Sequence, residues 1–267
     1  MSRRFTFYLV STFAISWLAW GTLILLSGAR LTAYGRPLFM VLYALGGLGP
    51  TIAAYIAVLT TRGQSPLSEF HARLLRWRWR WNLIALGLPI TLILASAGAA
   101  AIADPAYAAS LSLRPWYTFV PLFFVMILGG GLEELGWRGI AQPEAERRAA
   151  PLVASLFVGV IWAAWHLPLF YLPGVGQYDT SFPIFAAGVI GNALLLAWLY
   201  GRTKSILACI IFHASFNAVL ALGFAASPRA GLPMLLDALL SILLGGTLLL
   251  LWQRKVPGPD GAERIRD

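Results

Sequence analysis

Cysteine is almost missing from this chain: Cys209 is the only one among 267 residues. That excludes an internal disulfide framework and any zinc site built on cysteine, and Cys209, set in an apolar run, reads as a small buried hydrophobe. Charge is scarce too. Only 12% of residues are charged and 59% are hydrophobic, with a mean hydropathy of +0.74, whereas a soluble domain carries about a quarter charged residues. A soluble globular domain is therefore excluded. Histidine occurs three times, as His71, His166 and His213. Of the aspartates, only Asp237 falls near the interior of an apolar run, which excludes an intramembrane pair of aspartates. There is no His-Glu-x-x-His zinc helix and no Gly-x-Ser-x-Gly nucleophile elbow, and Ser215 is flanked by Ala214 and Phe216. The net charge of +9 would suggest nucleic acid in a soluble protein. Here the charges fall between apolar runs, and no nucleic-acid partner is expected.

What is present is a succession of apolar runs near residues 5–27, 38–60, 82–103, 116–135, 152–172, 182–200, 205–225 and 233–252. About 20 such residues cross a bilayer as a helix. The expected fold is an all-α polytopic membrane protein with about eight transmembrane helices. Residues 1–252 form a single transmembrane domain, and 253–267 a polar, disordered cytoplasmic tail. Arg3 and Arg4 ahead of the first run resemble a signal peptide, but the run is too long for the apolar region of one and reads as a retained span. Gly46, Gly47, Gly49 and Pro50 predict close helix approach and a kink in the second span. Gly201–Lys204 predicts a tight turn between the sixth and seventh. Sidedness follows from lysine and arginine: 16 fall on the side of the N-terminus and 4 on the other, so both termini are expected in the cytoplasm. In the loop after the second span, Arg73–Trp81 interleaves arginine with tryptophan. This suits the headgroup interface, with guanidinium groups on lipid phosphates, and His71 beside it is expected to be solvated.

Ionisable residues inside membrane segments are expensive and mark functional sites. Glu133 and Glu134, with Arg138, close the run that begins near Trp116. Glu134 and Arg138 are four apart, share a helix face and are expected to pair. Glu133 points about 100° away and is left without a local partner, free to act as a general base. Trp162 and His166 share a face, the tryptophan walling a pocket into which the histidine reaches. His213 and Asn217 share another. Glu133, His166, His213 and Asn217 are thus the candidate catalytic residues and Glu134, Arg138 and Trp162 the supporting ones, in a core over about 116–225. Asp237 reads as interfacial or structural, and Asn192 as interhelical hydrogen-bonding glue.

The ordered set Glu133-Glu134-Leu135-Gly136-Trp137-Arg138, Trp162-Ala163-Ala164-Trp165-His166 and His213-Ala214-Ser215-Phe216-Asn217 resembles the CPBP family: CAAX prenyl-endopeptidases and related membrane proteases, also called the Abi family. The resemblance covers roughly 116–225. It departs at Trp162, where that family usually has phenylalanine. It implies an eight-helix fold with an active site in the membrane, open toward the cytosol, in a multi-pass protein of the cell membrane. It also implies an intramembrane endopeptidase that cleaves a membrane-associated, lipidated or prenylated-type peptide.

Two mechanisms fit the residues. In the preferred one no metal takes part: Glu133, assisted by His166, activates a water, and His213 and Asn217 donate to the oxyanion. In the alternative, zinc is held by Glu133, His166 and His213. A different class also uses buried carboxylates and histidines: a non-enzymatic membrane protein, either a small proton-coupled transporter or a bacteriocin-immunity type protein.

Overall fold

The computed structural model describes residues 2–60, 67–224 and 230–253. The expected tail, from residue 254 onward, lies outside the described residues, as do Arg62, Arg229, Arg254, Lys255, Arg264 and Arg266 of the charge count. The described elements are helices: α1 (Arg3–Gly28), α2 (Pro37–Gly47), α3 (Gly49–Thr60), α4 (Leu67–Leu74), α5 (Trp79–Ala103), α6 (Pro105–Ser110), α7 (Phe119–Leu128), α8 (Glu134–Gly136), α9 (Gln142–Glu146), α10 (Pro151–Trp165), α11 (Phe182–Thr203), α12 (Ile206–Val219) and α13 (Gly231–Gln253). Among the described residues seven helical segments are long and apolar enough to cross a membrane, or eight if α2 and α3, bent by 49°, are counted as one broken span. The chain is an all-helical, multi-pass membrane protein.

The bend between α2 and α3 has a packing cause. A Cβ at Gly46 would run into the Trp20 indole, and one at Gly49 into Ser16 Oγ. α1 thus lies directly on the broken span, and Ser16 Oγ donates to the Gly46 carbonyl over 2.7 Å. At the far end of α11 the helix runs through the expected turn to Thr203, because Gly201 lets the Trp252 ring of α13 lie against it. The reversal is confined to Lys204, in the left-handed region at φ 50°, and Ser205, whose hydroxyl accepts from Ala208 N–H to cap α12.

α12 is the most enclosed of the spans. It packs on α5, α7, α11 and α8, and Ser215 Oγ donates to the Leu86 carbonyl over 2.7 Å to tie it to α5. α7 is its opposite: none of its residues is buried, and Val120, Phe124, Val125 and Leu128 are exposed, as suits a lipid-facing helix. The segment between the second span and α5 differs from expectation in two residues, both on α4. Arg73 turns inward, donating to Tyr200 Oη over 2.9 Å and to the Gly139 carbonyl over 3.3 Å. His71 is half-buried, 3.3 Å from Tyr55 Oη. Trp77, Trp79 and Leu75 stay exposed.

Candidate active site

The expected fourth span is not one continuous helix. α7 stops at Leu128; a 3₁₀ turn, Gly131–Glu133, leads into α8; and a π-helical turn, Trp137–Ala141, joins α8 to α9. π turns are rare and gather at functional sites. Thr51 Oγ1 of α3 donates to the Leu132 carbonyl over 2.6 Å and anchors the 3₁₀ turn. Glu133 and Glu134 therefore sit on an interrupted backbone in the protein interior, at 7% and 0% exposure.

The expected pair is present. Arg138 Nη1 lies 2.9 Å and 3.2 Å from the two carboxylate oxygens of Glu134, both side chains fully buried. Glu134 does more than offset that charge: its Oε1 is also 2.9 Å from His213 Nδ1. An ionised carboxylate only accepts, so Nδ1 carries the hydrogen, which turns Nε2 of His213 away toward the site.

Trp162 is the common neighbour of the cluster. Its Nε1–H donates to Glu133 Oε2 over 2.9 Å, and Arg138 Cζ stands 4.8 Å over its ring. The His213 ring is 5.3 Å away, edge-on, and the His166 ring 6.1 Å away. The tryptophan is thus a donor to Glu133 and not only a wall, so that Glu133, without a local partner, has a distant one. Hydrogen bonds to charged groups contribute about 1.5–3 kcal/mol. Trp162→Phe keeps the aromatic wall and removes the donor. It is expected to lower kcat/KM for the proteolysis proposed below by roughly tenfold or more, with the melting temperature little changed, as checked by steady-state cleavage and thermal unfolding.

His166 is the residue after α10, which ends at Trp165 because Pro168 cannot continue a helix. Its Nδ1 is 2.9 Å from the Trp162 carbonyl, one of the orphan acceptors of the helix end. A carbonyl only accepts, so Nδ1–H donates and Nε2 of the neutral ring is the acceptor. Trp165 and Phe185 hold the ring edge-on at 4.6 Å and 5.0 Å.

His213 and Asn217, on α12, converge above Gly130. A Cβ there would run into Asn217 Nδ2 and stand 3.0 Å from His213 Nε2. Only glycine lets the backbone come this close. The triplet Gly129-Gly130-Gly131 was visible in the sequence, yet nothing short of the fold says that two site residues lie over its middle member. Gly130→Ala is expected to displace Asn217 and cut cleavage at least about tenfold, on the scale of losing one oxyanion donor. The check is comparison of kcat for the two proteins in liposomes.

The structure thus brings Glu133, Glu134, Arg138, Trp162, His213 and Asn217 into one polar cluster, with His166 on its edge against Trp162. No hydrogen bond joins Glu133 directly to either histidine among the described residues. Among the described residues no three His, Cys, Asp or Glu side chains gather as a metal-ion site. Glu133, His166 and His213 are thus not drawn together as a zinc ligand set among the described residues. A cavity of about 740 Å³ meets the cluster at Asn217, with Phe185, which packs on His166, also in its wall. A buried carboxylate, imidazole acceptors and an amide donor beside a cavity are the equipment of water activation and oxyanion binding.

Residues 115–219 match the family model described as Type II CAAX prenyl endopeptidase Rce1-like. A curated relative from Methanococcus maripaludis, CAAX prenyl protease 2, is 24% identical over 224 residues, which cover 79% of this chain and 81% of that protein. The match with the family model spans α7 to α12, the segment that carries every member of the cluster.

Proposed function

Since the chain belongs to the CPBP family of CAAX-type membrane proteases, and is thus a hydrolase, we propose that it cleaves a peptide bond of a membrane-associated, lipidated or prenylated-type substrate with Glu133 as general base. Glu133, held by Trp162 Nε1–H, takes a proton from a water, which attacks the scissile carbonyl; collapse of the tetrahedral intermediate breaks the C–N bond, and Glu133 passes that proton to the leaving amine. Nε2 of His166 is the acceptor that assists it. Asn217 Nδ2 donates to the oxyanion beside His213, whose Nε2–H donates when the ring carries both protons. Arg138 and Glu134 fix His213 in place. The observation that carries this reading is the convergence of Glu133, Trp162, His213 and Asn217 in the interior of the bundle, with Asn217 also in the wall of a cavity. The residues do not assemble a zinc site, and no step is routed through a metal.

The domain and sidedness readings belong to the same proposal: one transmembrane domain over 1–252 with its catalytic core near 116–225, both termini in the cytoplasm, and a site reached from the cytoplasmic face of the cell membrane. The excess of arginine and lysine on the side of the N-terminus supports this. Short connections leave little room for a soluble substrate domain, which favours a peptide at the membrane surface. The test is purified protein in liposomes, incubated with membrane-tethered peptides, prenylated and not, and read by mass spectrometry of the products. Defined cleavage products support the proposal. An inert protein that carries protons across the liposome membrane supports the transporter reading instead.

A further inference from the structure

The cavity that reaches Asn217 continues away from the catalytic cluster between α5, α11, α12 and α13. Its walls are largely apolar, yet they include Asn192 of α11 and Asp237 of α13. Asp237 is 8% exposed and Asn192 7%. Asp237 Oδ1 and Asn192 Oδ1 each lack a hydrogen-bond partner. The two residues flank one interface: Gly191, next to Asn192, is packed so closely on α13 that a Cβ there would lie 3.2 Å from the carbonyl of Ala238, next to Asp237. Arg114 lines the same cavity from the loop before α7, exposed, and makes no ion pair with Asp237 among the described residues.

From the sequence Asn192 reads as interhelical glue and Asp237 as interfacial or structural. Interhelical glue spends its acceptors on the neighbouring helix, and an interfacial carboxylate is solvated. Here Asp237 Oδ1 and Asn192 Oδ1 are buried without a hydrogen-bond partner, in two residues that line one cavity. An uncompensated acceptor inside a membrane bundle is costly, and a buried carboxylate without a cation more so. Such groups persist where a ligand completes them.

We infer that Asp237 and Asn192 form a second subsite of this cavity, which takes a cationic hydrogen-bond donor, an ammonium or guanidinium group, borne by the apolar part of the peptide substrate. The inference rests on the proposed protease function: one chain occupies both ends of a single cavity, its scissile bond beside Asn217 and its basic side chain at Asp237. The apolar wall between them, with Ile93, Val189, Phe216 and Leu220, holds the intervening residues. A neutral side chain at that position leaves both acceptors unpaired and binds more weakly.

The experiment measures binding and cleavage of the same peptides by the full-length protein in liposomes. The peptides are membrane-tethered, fluorescent and identical except for a lysine or a norleucine scanned through successive positions. Wild type is expected to bind the lysine peptide about thirtyfold more tightly than the norleucine peptide at one position only, on the scale of losing one member of a buried charge pair. Asp237→Asn should reduce that ratio to within about twofold, and Asn192→Leu should reduce it about tenfold, as for loss of one bond to a charged group. The Asn192 variant also keeps the test intact if Asp237→Asn fails to fold.

Equal binding of the two peptides by wild type at every position overturns the subsite, and so does a ratio unchanged by both variants. An aminophospholipid is the other source of an ammonium group. If Asp237→Asn alters retention of phosphatidylethanolamine while the peptide ratio stays at one, the site belongs to lipid and the inference is wrong. Binding reads the subsite and cleavage reads the protease assignment. A lysine preference without any cleavage contradicts the proposed function while leaving the ligand site standing.

Discussion

Glu133→Gln is expected to abolish peptide cleavage while leaving the fold intact. The amide is nearly the same size as the carboxylate and still accepts the Trp162 Nε1–H bond, which is 2.9 Å long in the wild type. It cannot take a proton from water. General-base catalysis typically contributes about 10²–10⁴-fold, so kcat should fall by at least two orders of magnitude with KM nearly unchanged. The measurement is single-turnover cleavage of a tethered peptide, with peptide binding measured on the same sample. A variant that retains more than about a tenth of wild-type kcat would remove Glu133 from the role of base and transfer it to the neighbouring carboxylate.

The second large effect concerns that neighbour. Glu134 is fully buried, with Arg138 Nη1 at 2.9 Å and His213 Nδ1 at 2.9 Å. Removing one partner of a buried pair strands the other charge and costs about 3–5 kcal/mol. Glu134→Leu should therefore lower stability by that order and also release His213, so that its Nε2 no longer faces the space above Gly130. The expected result is a marked drop in melting temperature together with a loss of activity that cooling does not restore. Arg138→Met separates the two effects. It loses the ion pair and strands Glu134 but keeps the acceptor for His213. It should be destabilised to a similar degree, yet retain more activity than Glu134→Leu when both are assayed well below their transitions. Equal activity in the two variants would mean that the hydrogen bond to His213 has no catalytic consequence.

What could be read from the sequence was whatever depends on near neighbours along the chain. Lipid forces each span to satisfy its own backbone, so long apolar runs announce themselves, and the segments expected near 82–103, 182–200 and 233–252 lie within α5, α11 and α13. The Glu134–Arg138 pair is a four-residue spacing, and it survives the π turn between them.

The contacts that organise the site are of another kind. Trp162 and Glu133 are 29 residues apart, and His213 and Glu134 are 79 apart. No periodicity links them, because they meet only when α10 and α12 pack around the interrupted segment 131–146. The break after α7 was hidden for a different reason. Glycines at 129–131 are as compatible with a tightly packed helix as with a chain reversal, and only the approach of His213 and Asn217 to Gly130 decides between them. The inward turn of Arg73 was masked in the same way. In a basic, tryptophan-rich loop an arginine reads as interfacial, and its actual partner, Tyr200, is 127 residues away.

The most direct test of the central claim, that this buried cluster activates a water with its own side chains, is single-turnover cleavage in ¹⁸O-labelled water by protein stripped with a chelator. The account requires one ¹⁸O atom in the new carboxylate of the product, formed at the rate of untreated protein and lost in Glu133→Gln. Activity that disappears on chelation and returns only with added zinc would contradict it.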